Sequence, residues 1–226
     1  MSLITFFKGY KKFGIFFSIL CLVIIGVIYN TLNQKKPLPI WNPERVNDEM
    51  VDESIRHVSK YHTIADFSLT NQNGETITQD TYKDKIYVAD FFFTTCQTIC
   101  PIMTDHMYQI QQELISDDEV MLLSHSVTPV RDSVPVLKTY AKEKGVIDAK
   151  WNLVTGDKKQ IYELARKSYL AVKTQGNGDR FDMIHTENFL LIDKKRQIRG
   201  FYDGTQSEDI ERLLEDIETL KHFGGS

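Results

Sequence analysis

The sequence predicts an α/β sandwich that follows an apolar N-terminal segment. Strand-like and helix-like patterns alternate through the middle of the chain, and a strand–turn–strand pattern stands near its end. The apolar run "KIYVADFFF" is almost continuous, as expected of a strand that is covered on both faces. With 226 residues, the chain has room for one sizeable domain plus accessory segments.

The N-terminal segment differs from the rest of the chain. Residues 13–29, "FGIFFSILCLVIIGVIY", carry no charge and no proline and follow several lysines. The run approaches the roughly 20 residues that cross a hydrocarbon core, so it predicts a single-pass transmembrane anchor with residues 1–12 as a short segment before it. No small-residue cleavage pattern follows, which argues against a signal peptide, and Cys21 is interpreted as a packing residue. The lysines before the run favour a cytoplasmic N terminus and an extracytoplasmic (periplasmic) C-terminal domain.

Residues 30–60 are predicted to tether this anchor to a domain that spans 61–226. The stretch "NQKKPLPIWNP" carries prolines without a helical or strand period. The domain opens with "TIADFSLTNQNGETIT", which predicts a hairpin because Asn and Gly tolerate a positive φ in its turn. After the strand "KIYVADFFF", Pro101 suits the first turn of a helix over residues 101–115.

The alternation continues to the C terminus. The segments "EVMLLSHSV" and "KWNLVTG" predict strands on either side of a helix, "SVPVLKTYAKEKG", that ends at Gly145. The segment "DKKQIYELARKSYLAV" predicts a helix that Asp157 caps. "HTENFLLID" and "QIRGFYDG" predict paired strands, and a final amphipathic helix begins near Ser207.

Composition narrows the functional classes. The formal charge is −4 and no basic block or stripe occurs, so nucleic-acid binding is not expected. Three cysteines are too few for a disulfide framework. Two of them, Cys96 and Cys100, nevertheless lie four residues apart in "FFFTTCQTICPIM", where a strand is predicted to turn into a helix.

This cysteine pair admits a redox disulfide, a metal site or plain packing. A cysteine near a helix N terminus is stabilised as thiolate, and residues four apart share a helix face. Two thiolates suit Cu(I), and one imidazole would complete a three-coordinate site that also admits Cu(II) with a further weak ligand. Zinc would need a fourth protein ligand, for which Asp132 or His106 is available without further support.

Among the six histidines, His185 is the candidate to converge on the pair. It follows a glycine-containing loop and opens the predicted strand "HTENFLLID". If that strand is a neighbour of "KIYVADFFF" in one sheet, a loop at its start can reach the cysteine turn. His106 and His125 fall within a helix and at a strand end, where a surface or core role is the commoner outcome.

Four stretches together resemble the Sco/SenC proteins: "DFFFTTCQTICPIMT", "HSVTPVRDSVPVLKTYAKEKG", "WNLVTG" and "IHTENFLLIDKKRQIRGFYDG". The resemblance covers roughly residues 60–221 and implies a thioredoxin-like fold. It implies that Cys96 and Cys100 are copper ligands and a redox-active disulfide pair, and that His185 is the imidazole ligand. Asp132 matches an aspartate of the family's Asp-Pro-x-x-Asp segment and is an accessory candidate, whereas Thr128 departs from that segment's first acidic residue.

The resemblance also implies a function. The chain would be a membrane-anchored metallochaperone that delivers copper to the dinuclear copper site of cytochrome c oxidase subunit II and reduces the cysteines of that site. Other copper chaperones or thiol reductases would be further partners. No turnover of a small molecule is implied.

Two other readings remain open from the sequence. One is a membrane-anchored thiol–disulfide oxidoreductase or peroxidase of the same fold, against which "MIHTE" counts because a reductase normally has a cis-proline there. The other is a copper sensor, which would need the same site as a donor.

Overall fold

The structure is a computed structural model that describes residues 3–32, 36–46, 51–52, 54–58, 60–172, 184 and 186–223. It divides into two compact units, Met1–Lys36 and Pro37–Ser226. The second unit holds the cysteine pair.

The first unit contains one long helix, α1, at Leu3–Leu32. The large apolar side chains between Phe13 and Tyr29 are exposed, and Cys21 is half-buried. Among the described residues, no helix has both the length and the apolar character needed to cross a membrane, so the transmembrane anchor predicted at 13–29 is not found. The uncharged run is at the short end of the roughly 17–25 residues that span a bilayer.

Within the described part of Pro37–Ser226, seven strands form one mixed sheet in the order β2-β1-β5-β4-β3-β6-β7. The strands are β1 Ser68–Asn71, β2 Thr76–Thr78, β3 Ile86–Phe92, β4 Val120–Ser126, β5 Trp151–Thr155, β6 Asn188–Ile192 and β7 Ile198–Asp203. The helices are α2 Cys100–Glu113, α3 Val134–Glu143, α4 Lys158–Glu163 and α5 Ser207–Phe223. Short 3₁₀ turns lie at Pro43–Arg45 and Gln79–Tyr82, and α4 runs into a π turn at Leu164–Ser168.

The centre of the sheet is parallel and its sides are antiparallel. β4 pairs in parallel with both β3 and β5, and helices connect these strands. β6 runs antiparallel to β3, with Ala89 opposite Leu190. The beginning of β6 therefore lies beside the C-terminal end of β3, where the cysteine loop begins.

Two apolar clusters cover the two faces of the sheet. All seven residues of β3 are buried, and they alternate between the faces as a strand requires. One face packs against α2, α3 and α5, whereas the other packs against α4 and the segment that follows it. This sandwich explains why "KIYVADFFF" is apolar on both sides, and it confirms the predicted α/β class.

Several local predictions are confirmed. The hairpin of β1 and β2 turns at Gly74, which has φ +81°. The Asp157 carboxylate caps α4 by accepting a hydrogen bond from the Gln160 backbone N–H at 2.7 Å. β6 begins at Asn188, three residues later than the predicted strand, because the ladder with β7 starts at the pair Asn188–Asp203.

The described part of the segment 30–60 packs on the domain. The Trp41 backbone N–H donates to the Ile198 carbonyl at 2.9 Å, and the Trp41 ring meets Phe201 edge-on at 5.6 Å. Val51 is fully buried. A tryptophan gains more from packing against the edge strand β7 than from exposure to water, so the stretch around Trp41 follows the domain surface.

Candidate functional site

The cysteine loop, residues 93–99, joins the end of β3 to the start of α2. α2 begins at Cys100, and Pro101 occupies its first turn, where the missing N–H leaves no intrahelical bond unmade. The loop is closed by the Cys96 backbone N–H, which donates to the Phe93 carbonyl at 3.3 Å. The helix start is closed by the Met103 N–H, which donates to the Ile99 carbonyl at 3.0 Å.

The loop brings the two predicted thiols together. Both are free, Cys96 is half-buried and Cys100 is buried at 4% exposure. The Cys100 side chain forms a hydrogen bond with the Cys96 sulfur, and the Thr98 hydroxyl lies 3.6 Å from the same sulfur. The sequence prediction that Cys96 and Cys100 present two sulfurs to one point therefore agrees with this geometry.

The surroundings of the two thiols give them very different pKa values. Partial burial acts to raise the pKa of Cys96, but hydrogen bonds from the Cys100 thiol and from the Thr98 and Cys100 backbone N–H groups outweigh it and lower that pKa to about 7. Burial, with the hydrogen bond to Cys96, raises the pKa of Cys100 to about 12. Cys96 is therefore the thiol that loses its proton near neutral pH. Cys100 keeps its thiol proton until its sulfur binds a metal ion or forms a disulfide.

A buried carboxyl that the sequence analysis did not single out lies beside Cys100. Asp90 is in the middle of β3 at 3% exposure, and one of its oxygen atoms, Oδ1, has no hydrogen-bond partner among the described residues. Burial raises the pKa of Asp90 to about 7, although a hydrogen bond from Ser124 opposes the rise. The negative charge of Asp90 also contributes to the raised pKa of Cys100. An aspartate inside an otherwise apolar strand was the signal that could have revealed it.

Asp132 is fully buried and is surrounded by donors. It accepts hydrogen bonds from the Thr94 backbone and hydroxyl, at 3.3 and 2.6 Å, and from the hydroxyls of Ser126 and Thr128, at 2.5 and 3.0 Å. Its carboxylate thus bonds to the cysteine loop on one side and to the end of β4 on the other. Thr128 supplies one of these donors.

His185 lies outside the described residues. Its neighbours in sequence, Ile184 and Thr186, are buried, and β6 begins two residues after Thr186 at the sheet edge that carries the cysteine loop. Within the residues that the structure describes, no group of three His, Cys, Asp or Glu side chains is arranged to hold a metal ion. The three-ligand site of Cys96, Cys100 and His185 thus stays a prediction.

The other histidines of the domain core have structural partners. His106 Nδ1 lies 2.7 Å from the Gly204 carbonyl oxygen, which joins α2 to the turn after β7. His125 stacks on Phe91 at 4.9 Å, and burial lowers its pKa to about 4, so it is neutral at physiological pH. His106 and His125 therefore serve the packing roles that the sequence favoured for them.

Taken together, the parallel strand–helix–strand centre, the antiparallel β6–β7 pair and a dithiol loop between β3 and α2 define a thioredoxin-like domain with a Cys-x-x-x-Cys pair. Residues 56–222 match the SCO1/SenC family. Because this match covers most of the chain, the protein belongs to the SCO1/SenC family.

Solved structures of related proteins agree with this assignment. A SCO1/SenC family lipoprotein of Bacillus anthracis is 31% identical with a TM-score of 0.62, covering 71% of this chain and 95% of its own. BsSco, a member of the Sco family of cytochrome c oxidase assembly proteins that was studied for a disulfide switch, is 28% identical with a TM-score of 0.60, covering 70% and 92%. Copper-bound ScoI of Bradyrhizobium japonicum is 25% identical with a TM-score of 0.54, covering 69% and 99%.

Proposed function

We propose that this protein binds copper through Cys96, Cys100 and His185 during the assembly of cytochrome c oxidase. The observation that carries the proposal is the meeting of two thiols, one with a pKa of about 7, at the start of α2. Thiolates are soft ligands that favour Cu(I) over Mg²⁺ or Ca²⁺, so the donor set fits copper. The copper-bound relative and the oxidase assembly role of BsSco support the same reading.

Binding of Cu(I) follows from the acidity of the two thiols. Cys96 offers a thiolate near neutral pH, whereas Cys100 must release a proton when it becomes a ligand. Copper affinity therefore rises with pH. An imidazole from His185 would be the third donor. Burial of Cys100 and partial burial of Cys96 limit contact of the cargo ion with water and with competing ligands.

Transfer of the ion needs a partner with matching ligands. We propose that the recipient is the dinuclear copper site of cytochrome c oxidase subunit II, whose cysteine thiolates replace Cys96 and then Cys100 by stepwise ligand exchange. Cys96 would be the first ligand that an incoming thiolate replaces on the ion, because it is the less buried of the two cysteines. No covalent bond of either protein is broken in this exchange, so it requires no reductant.

The experiment loads the protein in copper-supplemented cells under reducing conditions and measures bound copper after purification. Cys96→Ser and Cys100→Ser are expected to abolish Cu(I) binding. His185→Ala is expected to weaken Cu(I) binding by at least about tenfold and, in a separate sample loaded with Cu(II), to remove the optical signal of that ion. His222→Ala, in the last turn of α5, is the matched control and should bind as the unmodified protein does. Unchanged affinity of His185→Ala for both oxidation states would overturn the ligand set.

A second function is favoured by the unequal acidity of the thiols. In the metal-free protein, the Cys96 thiolate can attack a partner disulfide and form a mixed disulfide. Cys100 then loses its proton and attacks Cys96, which releases the partner as a dithiol and leaves a Cys96–Cys100 disulfide. Two electrons pass from this protein to the partner. Reduction of oxidised subunit II, faster than reduction of insulin or of a peroxide, would separate this role from a general oxidoreductase or peroxidase.

We also propose that α1 attaches the protein to a membrane, with the copper-binding domain on the extracytoplasmic side. Support comes from the apolar side chains of α1 that are exposed on all sides between Phe13 and Tyr29. In cell fractions, the full chain should sediment with membranes, and Pro37–Ser226 should remain soluble. In whole cells, added protease should cleave the domain only after the outer layer of the cell envelope has been made permeable to the protease. A full chain that stays in the supernatant would overturn the attachment.

A further inference from the structure

The carboxylate of Asp132 connects two parts of the domain that are far apart in sequence. On one side, the hydroxyls of Ser126 and Thr128 donate to it from the end of β4 and from the turn that follows. Its own backbone N–H donates to the Thr128 carbonyl at 2.9 Å, directly before α3 begins. These residues hold the Asp132 carboxylate in a fixed position because they belong to, or directly flank, a strand or a helix.

On the other side, Asp132 holds a single residue of the cysteine loop by two bonds. The Thr94 hydroxyl donates to Oδ1 at 2.6 Å and the Thr94 backbone N–H donates to Oδ2 at 3.3 Å. Two bonds to two atoms of one residue restrict both the position and the rotation of that residue. Bonds to a buried charged acceptor are also stronger than those between neutral groups.

The peptide between Phe93 and Thr94 carries this restraint to the cysteines. Because a peptide group is planar, fixing the Thr94 N–H fixes the direction of the Phe93 carbonyl on the opposite side of the same plane. That carbonyl accepts the hydrogen bond from the Cys96 backbone N–H. The Phe93 backbone N–H, on the preceding peptide, donates to the Cys100 sulfur. Both cysteines are thus bonded to the residue that lies next to Thr94.

We propose that Asp132 is a positioning residue that acts through Thr94 to hold the cysteine loop in the shape that brings Cys96 and Cys100 together. Both of its oxygen atoms accept hydrogen bonds from the protein, so we assign it a positioning role and not that of a ligand. The effect of Asp132 on Cu(I) affinity rests on the proposed copper function. Its effect on the reactivity of the Cys96 thiol does not depend on that function.

The test compares four variants of the full chain in reduced form. Thr94→Val removes the hydroxyl that binds Asp132 and keeps the shape of the side chain, whereas Thr94→Ser retains the hydroxyl. Asp132→Asn weakens both links to Thr94. Ser126→Ala is the control, because it removes a bond to the same carboxylate on the β4 side only. Alkylation of Cys96 is followed against pH by peptide mass spectrometry, stability by urea unfolding, and Cu(I) affinity by competition with a chelator.

Thr94→Val and Asp132→Asn should move the midpoint of Cys96 alkylation upward by about one pH unit, which makes alkylation at pH 7 about fivefold slower, and should weaken Cu(I) binding. Thr94→Ser should stay within about twofold of the unmodified protein. Ser126→Ala should lose stability with an unchanged midpoint. If Asp132→Asn does not fold, the Thr94 pair carries the comparison.

Two results would overturn the inference. One is an alkylation midpoint that is the same in Thr94→Val as in the unmodified protein. The other is a midpoint that moves as far in Ser126→Ala as in Thr94→Val at equal loss of stability, since the carboxylate would then serve general stability alone. A failure of the unmodified protein to bind Cu(I) would overturn the proposed function and leave the alkylation comparison intact.

Discussion

At the scale of single residues, Cys96 and Cys100 divide the chemistry of the site between them. The half-buried Cys96 meets four hydrogen-bond donors, which favour its thiolate, and the buried Cys100 meets the negative charge of Asp90 and the Cys96 sulfur. A half-buried nucleophile beside a buried second thiol is an arrangement that serves both ligand exchange and disulfide exchange. The two proposed functions therefore draw on the same asymmetry.

The asymmetry predicts unequal thiol reactivity. Cys96 should be alkylated with a midpoint near pH 7, because its pKa is about 7, while Cys100 should react slowly below about pH 10. Cys100→Ala removes the thiol donor to Cys96, so the Cys96 midpoint should move toward the ordinary value of roughly 8.5. Iodoacetamide labelling read by peptide mass spectrometry measures both midpoints. Equal rates for Cys96 and Cys100 at pH 7 would contradict the assignment.

Asp90 predicts a loss of stability as pH rises. Its pKa is raised from 3.8 to about 7 by burial, so between these values the unfolded chain is ionised while the folded chain still holds the proton. Folding stability therefore falls across this window and levels off above it. Asp90→Asn should stabilise the protein by a few kcal/mol at pH 8 and by much less at pH 5, measured by urea unfolding. Asp118→Asn, on the exposed turn before β4, should show no such difference.

Residue patterns also show why part of the site escaped prediction. The cysteine pair was readable because both members lie within five consecutive residues beside a strand and a helix start. The bonds of Asp132 to Thr94 join residues that are 38 positions apart, and no periodicity in the sequence relates them. Resemblance drew attention to Asp132 as an accessory ligand, whereas its four bonds to the protein came from the folded geometry.

At the scale of elements, the site depends on how β6 and α2 meet at one edge of the sheet. β6 starts at Asn188, beside the end of β3. The turn after β7 is hydrogen-bonded both to the residue before β6 and to α2. The Gly204 backbone N–H donates to the Glu187 carbonyl at 2.7 Å, and the Gly204 carbonyl lies 2.7 Å from His106 Nδ1 on α2. Gly204 thus ties the start of β6 to the helix that carries Cys100.

This contact leaves no room for a side chain. A Cβ atom at position 204 would lie 2.7 Å from the ring of Phe189, which is fully buried in β6. Gly204→Ala should therefore destabilise the protein by about 1–3 kcal/mol, since an overpacked ring has to shift the strand. Urea unfolding measures the loss. Gly156→Ala is the comparison, because its closest contact is a terminal methyl group of Leu69, which can move more easily than an aromatic ring, and its cost should be smaller. Equal costs would argue against a rigid Phe189.

Elements with strong local patterns were predictable, and those set by distant contacts were not. The β1–β2 hairpin, the buried β3 and the Asp157 cap follow from periodicity and turn chemistry within short windows. The start of β6 depends on pairing with β3 and β7, which a local pattern does not encode. The prolines around Trp41 predict a tether, whereas its hydrogen-bond partner Ile198 lies far along the chain, where no local pattern points to it.

At the scale of the whole molecule, the boundary of the folded domain decides what a working fragment must contain. The compact unit begins at Pro37, and residues soon after Pro37 contact the edge strand β7. Arg199 Nε donates to the Pro39 carbonyl at 3.1 Å, the Trp41 ring packs on Phe201, and Val51 is fully buried. These contacts belong to the domain although they precede its first sheet strand.

Two fragments test this boundary. Pro37–Ser226 should unfold in one cooperative transition and bind copper as the full chain does, because it keeps the edge contacts of β7. A fragment of residues 61–226 lacks Trp41 and Val51, and should be less stable by about 3 kcal/mol, since a buried apolar side chain contributes about 1.5–3 kcal/mol. Urea unfolding gives both values, and a lower slope against urea should accompany the smaller buried area. If the two fragments were equally stable, residues 37–60 would be a tether that the domain does not need. If the longer fragment bound copper and the shorter one did not, the contacts of residues 37–60 with β7 would be needed to keep β6 and the neighbouring copper site in place.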